Sequence, residues 1–179
     1  ASSPVRPLLK WAGGKRQLLP VIRGYYPNRI RRYFEPFLGS GAVFFDLVGA
    51  GLLDGAEAHL SDCNADLIGF YEAVRDRPAD VSRELGLLAE EHARIPGFYY
   101  QVRDHHFNPA RAHGAPPSTP ALAAMFFYLN RTGFNGLYRV NRQGAFNVPE
   151  GRYANPQICD VSRIETASRV LRQSGVTLS

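Results

Sequence analysis

The sequence predicts an α/β fold opening on a doubly wound parallel sheet, and three observations carry that prediction. Residues 33–77 read strand, glycine turn, helix, strand, acid, helix. From Pro78 the apolar residues switch to helical spacing for most of the next fifty positions, as an inserted, mainly helical lobe would. A final helix and a short apolar run, Val176 to Ser179, then return to the sheet pattern.

The elements follow in order. Leu18, Leu19, Ile22 and Tyr26 suggest a first helix. A strand around Tyr33-Phe34 breaks at Glu35-Pro36-Phe37-Leu38-Gly39-Ser40-Gly41, and a helix with Val43, Phe44, Leu47 and Val48 stops at Gly49-Ala50-Gly51. Ala58 to Ser61 reads as the second strand and ends at Asp62. Asn64 caps the next helix, whose Leu67, Tyr71 and Val74 share a face. Val81, Leu85, Leu88 and His92 make another helix, and after Pro96-Gly97 a short one follows through Phe98, Val102 and His106. Pro109 to Pro120 holds four prolines in twelve residues and is expected to be a loop. Thr119 and Pro120 start a helix through Leu122, Phe126 and Leu129. After Gly133 the period becomes two, with Leu137, Arg139 and Asn141 on one face and Tyr138 and Val140 on the other. Gln143-Gly144 turns the chain into a returning strand, Ala145 to Val148, which completes a β-hairpin. Ser162 with Glu165 predicts a capping box for a helix running to Gly175.

Composition excludes several classes. The chain has 179 residues, 45% apolar and 21% charged, enough for one domain with a small lobe and no need of disulfides. Its longest apolar run, Ala121 to Leu129, is too short to cross a membrane, and no secretory signal opens the sequence. Cys63 and Cys159 form no CxxC pair and are expected to be reduced thiols of a cytoplasmic protein. His105-His106 has no cysteine or carboxylate at ligand spacing, so no metal is expected.

The net charge of +5 is unevenly spread. Residues 1–32 carry eight basic and no acidic side chains, residues 33–91 three basic and twelve acidic, and residues 92–179 ten basic and four acidic. Two basic segments around an acidic one suit a polyanion such as nucleic acid. Nineteen of the 21 basic residues are Arg, however, which codon bias alone can produce.

The turn Gly39-Ser40-Gly41 lets the backbone approach a ligand, with the amides of a helix N-terminus behind it. Asp62, at the next strand end, is placed to accept from a ribose diol. Gly41 is followed by Ala42, Val43 and Phe44, so the dinucleotide pattern G-x-G-x-x-G is absent and a cofactor without phosphates fits better. Many such turns are only structural. Trp11, the only tryptophan, precedes two glycines and Lys15; an aromatic face beside a cation suits adenine plus a carboxylate, or else a core ring beside a loose turn.

Five blocks carry a resemblance: Leu9 to Lys15, Glu35 to Gly41, Leu60 to Ile68, Tyr128 to Arg139, and Gly144 to Val148 with its continuation through Pro149 and Gly151-Arg152-Tyr153. In this order they resemble the Dam-type (D12 class) adenine-specific DNA methyltransferases, over nearly the whole chain from about Pro7. The resemblance implies a partial Rossmann-like methyltransferase sheet in residues 1–77 and 158–179, and a target-recognition lobe with a β-hairpin in residues 78–157. It implies S-adenosylmethionine as methyl donor, held by Trp11, Lys15, Phe37, Gly39, Gly41 and Asp62. It implies double-stranded DNA as partner, with Phe134, Asn135, Leu137 and Arg139 entering or bordering it and Lys10 beside a base.

These enzymes also carry an Asp-Pro-Pro-Tyr-like motif that holds the amine of the extruded adenine. The only Pro-Pro here is Pro116-Pro117, in another setting, so no catalytic residue is assigned. The expectation is a site-specific adenine methyltransferase given without its catalytic C-terminal portion, the 179 residues being inactive alone. The alternative is a non-catalytic DNA-binding or cofactor-sensing module, or one half of a split enzyme completed by a C-terminal chain.

Overall fold

A computed structural model describes residues 6–179. Three short parallel strands, β1 (Arg32–Glu35), β2 (Glu57–Leu60) and β3 (Val176–Leu178), lie in the order β1-β2-β3. Phe34, His59 and Thr177 form one row across them. On one face this row is open: the Phe34 and His59 rings stack with centroids 4.8 Å apart, and His59 Nδ1 lies 2.9 Å from Thr177 Oγ1. The other face turns Ala58 and Leu60 into the core.

The N-terminal segment departs from the predicted helix. A 3-10 turn (Lys15–Leu18), a single α-turn α1 (Leu19–Ile22) and a second 3-10 turn (Arg23–Tyr25) replace it. Pro20 and Gly24 interrupt the ladder, and Leu18, Val21 and Tyr25 stay exposed, so no apolar face holds a longer helix in place. Helix α2 (Ala42–Gly49) follows the glycine turn and buries Phe44, Phe45 and Leu47. In α3 (Ala65–Asp76) the predicted cap holds: Asn64 Oδ1 accepts from the amides of Asp66 and Leu67 at 3.1 and 3.2 Å. Gly69 inside α3 is required by contact, because a Cβ there would lie 2.4 Å from Pro117 Cβ.

Helix α4 (Pro78–Arg94) runs as predicted. The next helical stretch is longer than predicted: α5 (Phe98–Gln101), a π-helical segment (Val102–Phe107) and α6 (Asn108–Ala112) run on continuously. The proline loop therefore begins only after Ala112. Pro109, which has no amide hydrogen to give to the ladder, sits directly after the π turn, where the ladder is already irregular. Helix α7 (Pro120–Thr132) starts at Thr119, whose Oγ1 accepts from Leu122 N, and packs on both α3 and α4. Its Leu122, Phe126, Phe127 and Leu129 complete a core shared with Phe70, Tyr71 and Val74 of α3.

Two further expectations change. The hairpin forms but is short: one antiparallel bridge, Val140 with Phe146, is flanked by Asn141 N donating to Ala145 O at 2.9 Å and Asn147 N to Arg139 O at 3.1 Å. The Phe146 backbone groups, which face away from the partner strand, are held by a side chain: Asn108 Oδ1 accepts from Phe146 N at 2.8 Å and Asn108 Nδ2 donates to Phe146 O at 2.9 Å. Helix α8 (Val161–Leu171) is capped by Asp160, whose Oδ1 accepts from Arg163 N at 3.2 Å; Ser162 lies inside the helix and forms no capping box. Both cysteines are free thiols. Among the described residues no helix is long and apolar enough to cross a membrane, and no group of three potential metal ligands gathers.

Candidate functional site

At the carboxyl ends of β1 and β2 the chain forms a pocket of about 190 Å³. Trp11, Lys15, Phe37, Gly39 and Asp62, far apart in sequence, all line it. Gly41 stands just behind, at the N-cap of α2. A larger groove of about 680 Å³, over Tyr26, Tyr33 and Val43, follows the outer side of β1 away from these residues.

Asp62 organises the pocket floor. Its Oδ2 accepts from Gly39 N and its Oδ1 from Asn64 N, each at 3.0 Å, so one carboxylate ties the glycine turn to the start of α3. Gly39 and Gly41 have φ of +51° and +66°, which favour glycine. A Cβ on Gly39 would also lie 2.9 Å from Trp11 Cδ1, so the missing side chain is what lets the indole cover the turn. Phe37 lies at the rim with 74% of its surface exposed.

Glu35, which sequence reasoning left without a role, is a buried carboxylate in the same pocket, only 5% exposed. Tyr33 Oη donates to Glu35 Oε2 at 2.8 Å. Lys15 Nζ lies 3.9 Å from Glu35 Oε1 and donates to Phe37 O at 3.4 Å. Burial pushes the Glu35 carboxyl above its usual range, against the opposing effects of Tyr33, Lys15 and the Phe44 backbone. The one signal for it in sequence is an acid ending an otherwise apolar strand.

The indole of Trp11 links this pocket to the segment after α7. It stacks on Tyr138 with centroids 5.9 Å apart and lies 6.3 Å from Phe126. Tyr138 Oη donates to Asp66 Oδ2 at 2.5 Å, and Arg111 Nε donates to the same carboxylate. Period-two spacing put Tyr138 on the face opposite the candidate readers; nothing in that pattern pointed to this contact.

A second link runs through Asn130, another residue missed in sequence. Its Oδ1 accepts from Lys10 N at 3.0 Å, and its Nδ2 donates to Lys10 O at 2.7 Å and Gly136 O at 3.1 Å. This amide seats the segment carrying Lys10 and Trp11 against the 3-10 turn Phe134–Gly136. In that turn Phe134 is 47% exposed and Asn135 takes a left-handed conformation, φ +53°. Lys10 Nζ sits 3.9 Å from the centre of the Tyr153 ring. Lys10, Phe134 and Asn135 are thus held together. Leu137 and Arg139 lie further along: Leu137 packs on the core, and Arg139 turns back to Asn147, donating from Nε to Oδ1 at 2.8 Å and from Nη2 to O at 3.2 Å.

Parallel strands whose carboxyl ends carry a glycine turn, a carboxylate and an aromatic ring define an α/β protein with a candidate ligand site at the strand ends. The chain belongs to the family of D12 class N6 adenine-specific DNA methyltransferases, whose model matches residues 11–179. It is 37% identical over 174 residues to the type II methyltransferase M1.LlaDCHI of Lactococcus lactis subsp. cremoris, covering 97% of this chain and 57% of that protein. It is 39% identical over 178 residues to the type II methyltransferase M.MjaIII of Methanocaldococcus jannaschii, covering 94% and 60%. The DNA adenine methylase of Escherichia coli (strain K12) is 39% identical over 154 residues, covering 84% and 49%. The chain thus spans about half to three-fifths of the length of these relatives.

Proposed function

We propose that this chain is the cofactor-binding and target-recognition portion of an adenine-specific DNA methyltransferase that uses S-adenosylmethionine. The observation that carries the reading is the meeting of Trp11, Lys15, Phe37, Gly39 and Asp62 in one pocket. Residues 1–77 and 158–179 supply the cofactor part, a partial Rossmann-like sheet, and residues 78–157 the recognition lobe.

The residues present fit the cofactor. Both Asp62 oxygens keep a lone pair for a ribose diol beyond their amide bonds. Lys15 offers its ammonium to a carboxylate, and the turn at Gly39 admits a ligand against backbone. The 190 Å³ pocket is smaller than the roughly 300 Å³ or more usual for small-molecule sites. A nucleoside-sized ligand therefore also covers the exposed Phe37 ring. When bound, S-adenosylmethionine supplies a methyl group on a positively charged sulfur.

On the DNA side, Phe134 and Leu137 are apolar wedges, Asn135 and Arg139 have base-edge donors, and Lys10 carries a cation beside them. The adenine amine is a weak nucleophile, its lone pair delocalised into the ring. No residue of this chain is assigned to hold it. Calorimetric titration with S-adenosylmethionine and incubation of labelled cofactor with adenine-containing duplex test the reading. Binding with only background methyl transfer is expected. Absence of binding would overturn the cofactor assignment, and robust transfer by these 179 residues would overturn the division of labour.

A further inference from the structure

Beside the cofactor pocket, and sharing Trp11, Gly14 and Ser40 with it, lies a groove of about 610 Å³. Its charged lining residues are Arg6, Lys10, Arg16, Arg131 and Arg163, with no carboxylate among them. Neither the family match nor the candidate residues above give Arg6, Arg16, Arg131 or Arg163 a role.

Two of these arginines are held from behind with donors left over. Arg131, in the last turn of α7, donates from Nε to Gln157 O at 3.0 Å and lies over the Phe127 ring, 5.8 Å from its centre. Its terminal nitrogens have no hydrogen-bond partner among the described residues. Arg163, near the start of α8, donates from Nη2 to Pro7 O at 2.6 Å. Its Nε is buried and unpartnered, with Asp160 Oδ2 4.0 Å away. Burial, and then the charge of Arg163, push the Arg131 guanidinium below its ordinary value, with Asp160 and Tyr153 offsetting part of this. Cations drawn out of water and repelling one another are an arrangement that an anion relieves. Planar guanidinium forks match phosphate oxygens in particular.

We infer that this groove is a phosphodiester site, in which Arg16, Arg131 and Arg163 neutralise successive backbone phosphates of the DNA strand next to the cofactor pocket. The inference rests on the DNA-methyltransferase reading and adds to it a sequence-independent anchor beside the pocket. The shared wall at Trp11, Gly14 and Ser40 makes the groove and the pocket neighbours. The competing anion is the carboxylate of the cofactor itself.

The test measures binding of a mixed-sequence duplex across salt concentrations, with S-adenosylmethionine calorimetry in parallel. Arg131→Gln should flatten the dependence of log affinity on log salt by about 0.9, which makes binding roughly tenfold weaker near 0.05 M salt. Arg131→Lys should keep the slope, because charge rather than packing sets it. Cofactor affinity should be unchanged in both. If Arg131→Gln melts early, Arg16→Gln decides: that side chain is exposed, and a flatter slope supports the site while an unchanged slope overturns it. An unchanged duplex slope with weakened cofactor binding would overturn the inference and assign the groove to the cofactor carboxylate. A wild-type chain that binds cofactor but no duplex at any salt would overturn the DNA reading itself, and the phosphate site with it.

Discussion

The ring of Tyr138 lies stacked on that of Trp11, inclined by only 27°, while its hydroxyl bonds Asp66 at the start of α3. One side chain therefore touches the Trp11 wall of the pocket at the strand ends and the helix that follows the Asp62 turn. Tyr138→Phe keeps the stack but leaves the Asp66 carboxylate with Arg111 alone. A stability loss of about 1–3 kcal/mol in urea unfolding is expected, with near-normal cofactor affinity. Tyr138→Ala removes the stack as well and should weaken calorimetric binding of S-adenosylmethionine. Equal cofactor affinity in the two variants would mean that the stack does not shape the pocket.

Asp62 is expected to act twice. Asp62→Ala leaves the Gly39 and Asn64 amides without their acceptor and, on the proposed reading, the ribose diol without a charged partner. Cofactor binding should weaken by about 1.5–3 kcal/mol, alongside a lower melting temperature. Asp62→Asn, which keeps an acceptor for one amide, should recover part of the melting temperature. Unchanged affinity in Asp62→Ala would remove the residue from the site.

Glu35 should make stability fall with pH. Its carboxyl is raised by burial, so the folded state holds this proton more tightly than the unfolded chain does. Stability tied to it is therefore greatest below the ordinary carboxylate value of 4.5 and is lost as pH rises through the raised value. Glu35→Gln should melt above wild type at pH 7, with the gap closing toward pH 4. Asp46 works in the opposite direction. The Arg23 guanidinium, and then the Tyr26 hydroxyl, hold it below 3.8, and the stability it adds disappears as pH falls through that lowered value. Melting curves of Glu35→Gln and Asp46→Asn across pH 2.5–8, roughly the span of these transitions, separate the two windows.

Arg139 is held on Asn147 through Nε and one Nη2 hydrogen, which leaves Nη1 and the other Nη2 hydrogen as a fork for a base edge. If it reads one, Arg139→Ala should cost about 1–3 kcal/mol on the preferred duplex and little on a scrambled one. Equal losses on both, with a flatter salt dependence, would make it a phosphate contact instead.

The sequence was legible where one local signal governs a whole element. Asn64 and Thr119 mark their helices as caps, and the apolar rows of α3, α4 and α7 match the faces they bury. All three strands lie within a residue of where the pattern put them. Legibility failed where a distant side chain takes over backbone hydrogen bonding. Asn108 holds both outward-facing polar groups of Phe146, and Tyr99 Oη and Arg103 Nη1 both donate to Val148 O, so distant side chains seat a hairpin whose own ladder is only Asn141 N to Ala145 O and Asn147 N to Arg139 O. In the same way the Gly-turn and Asp62 could be marked by type and spacing, but Glu35, Asn130 and Tyr138 acquire their positions only from packing.

The Asn130 amide also sets an order of events as the chain is made. Lys10 and its seat are 120 positions apart, so the segment bearing Trp11 emerges early yet cannot settle until α7 exists. At about 5–20 residues per second that interval is roughly 6–24 s. Through it the indole is an unplaced aromatic ring on a nascent chain, and this wall of the pocket forms only after α7 has been made.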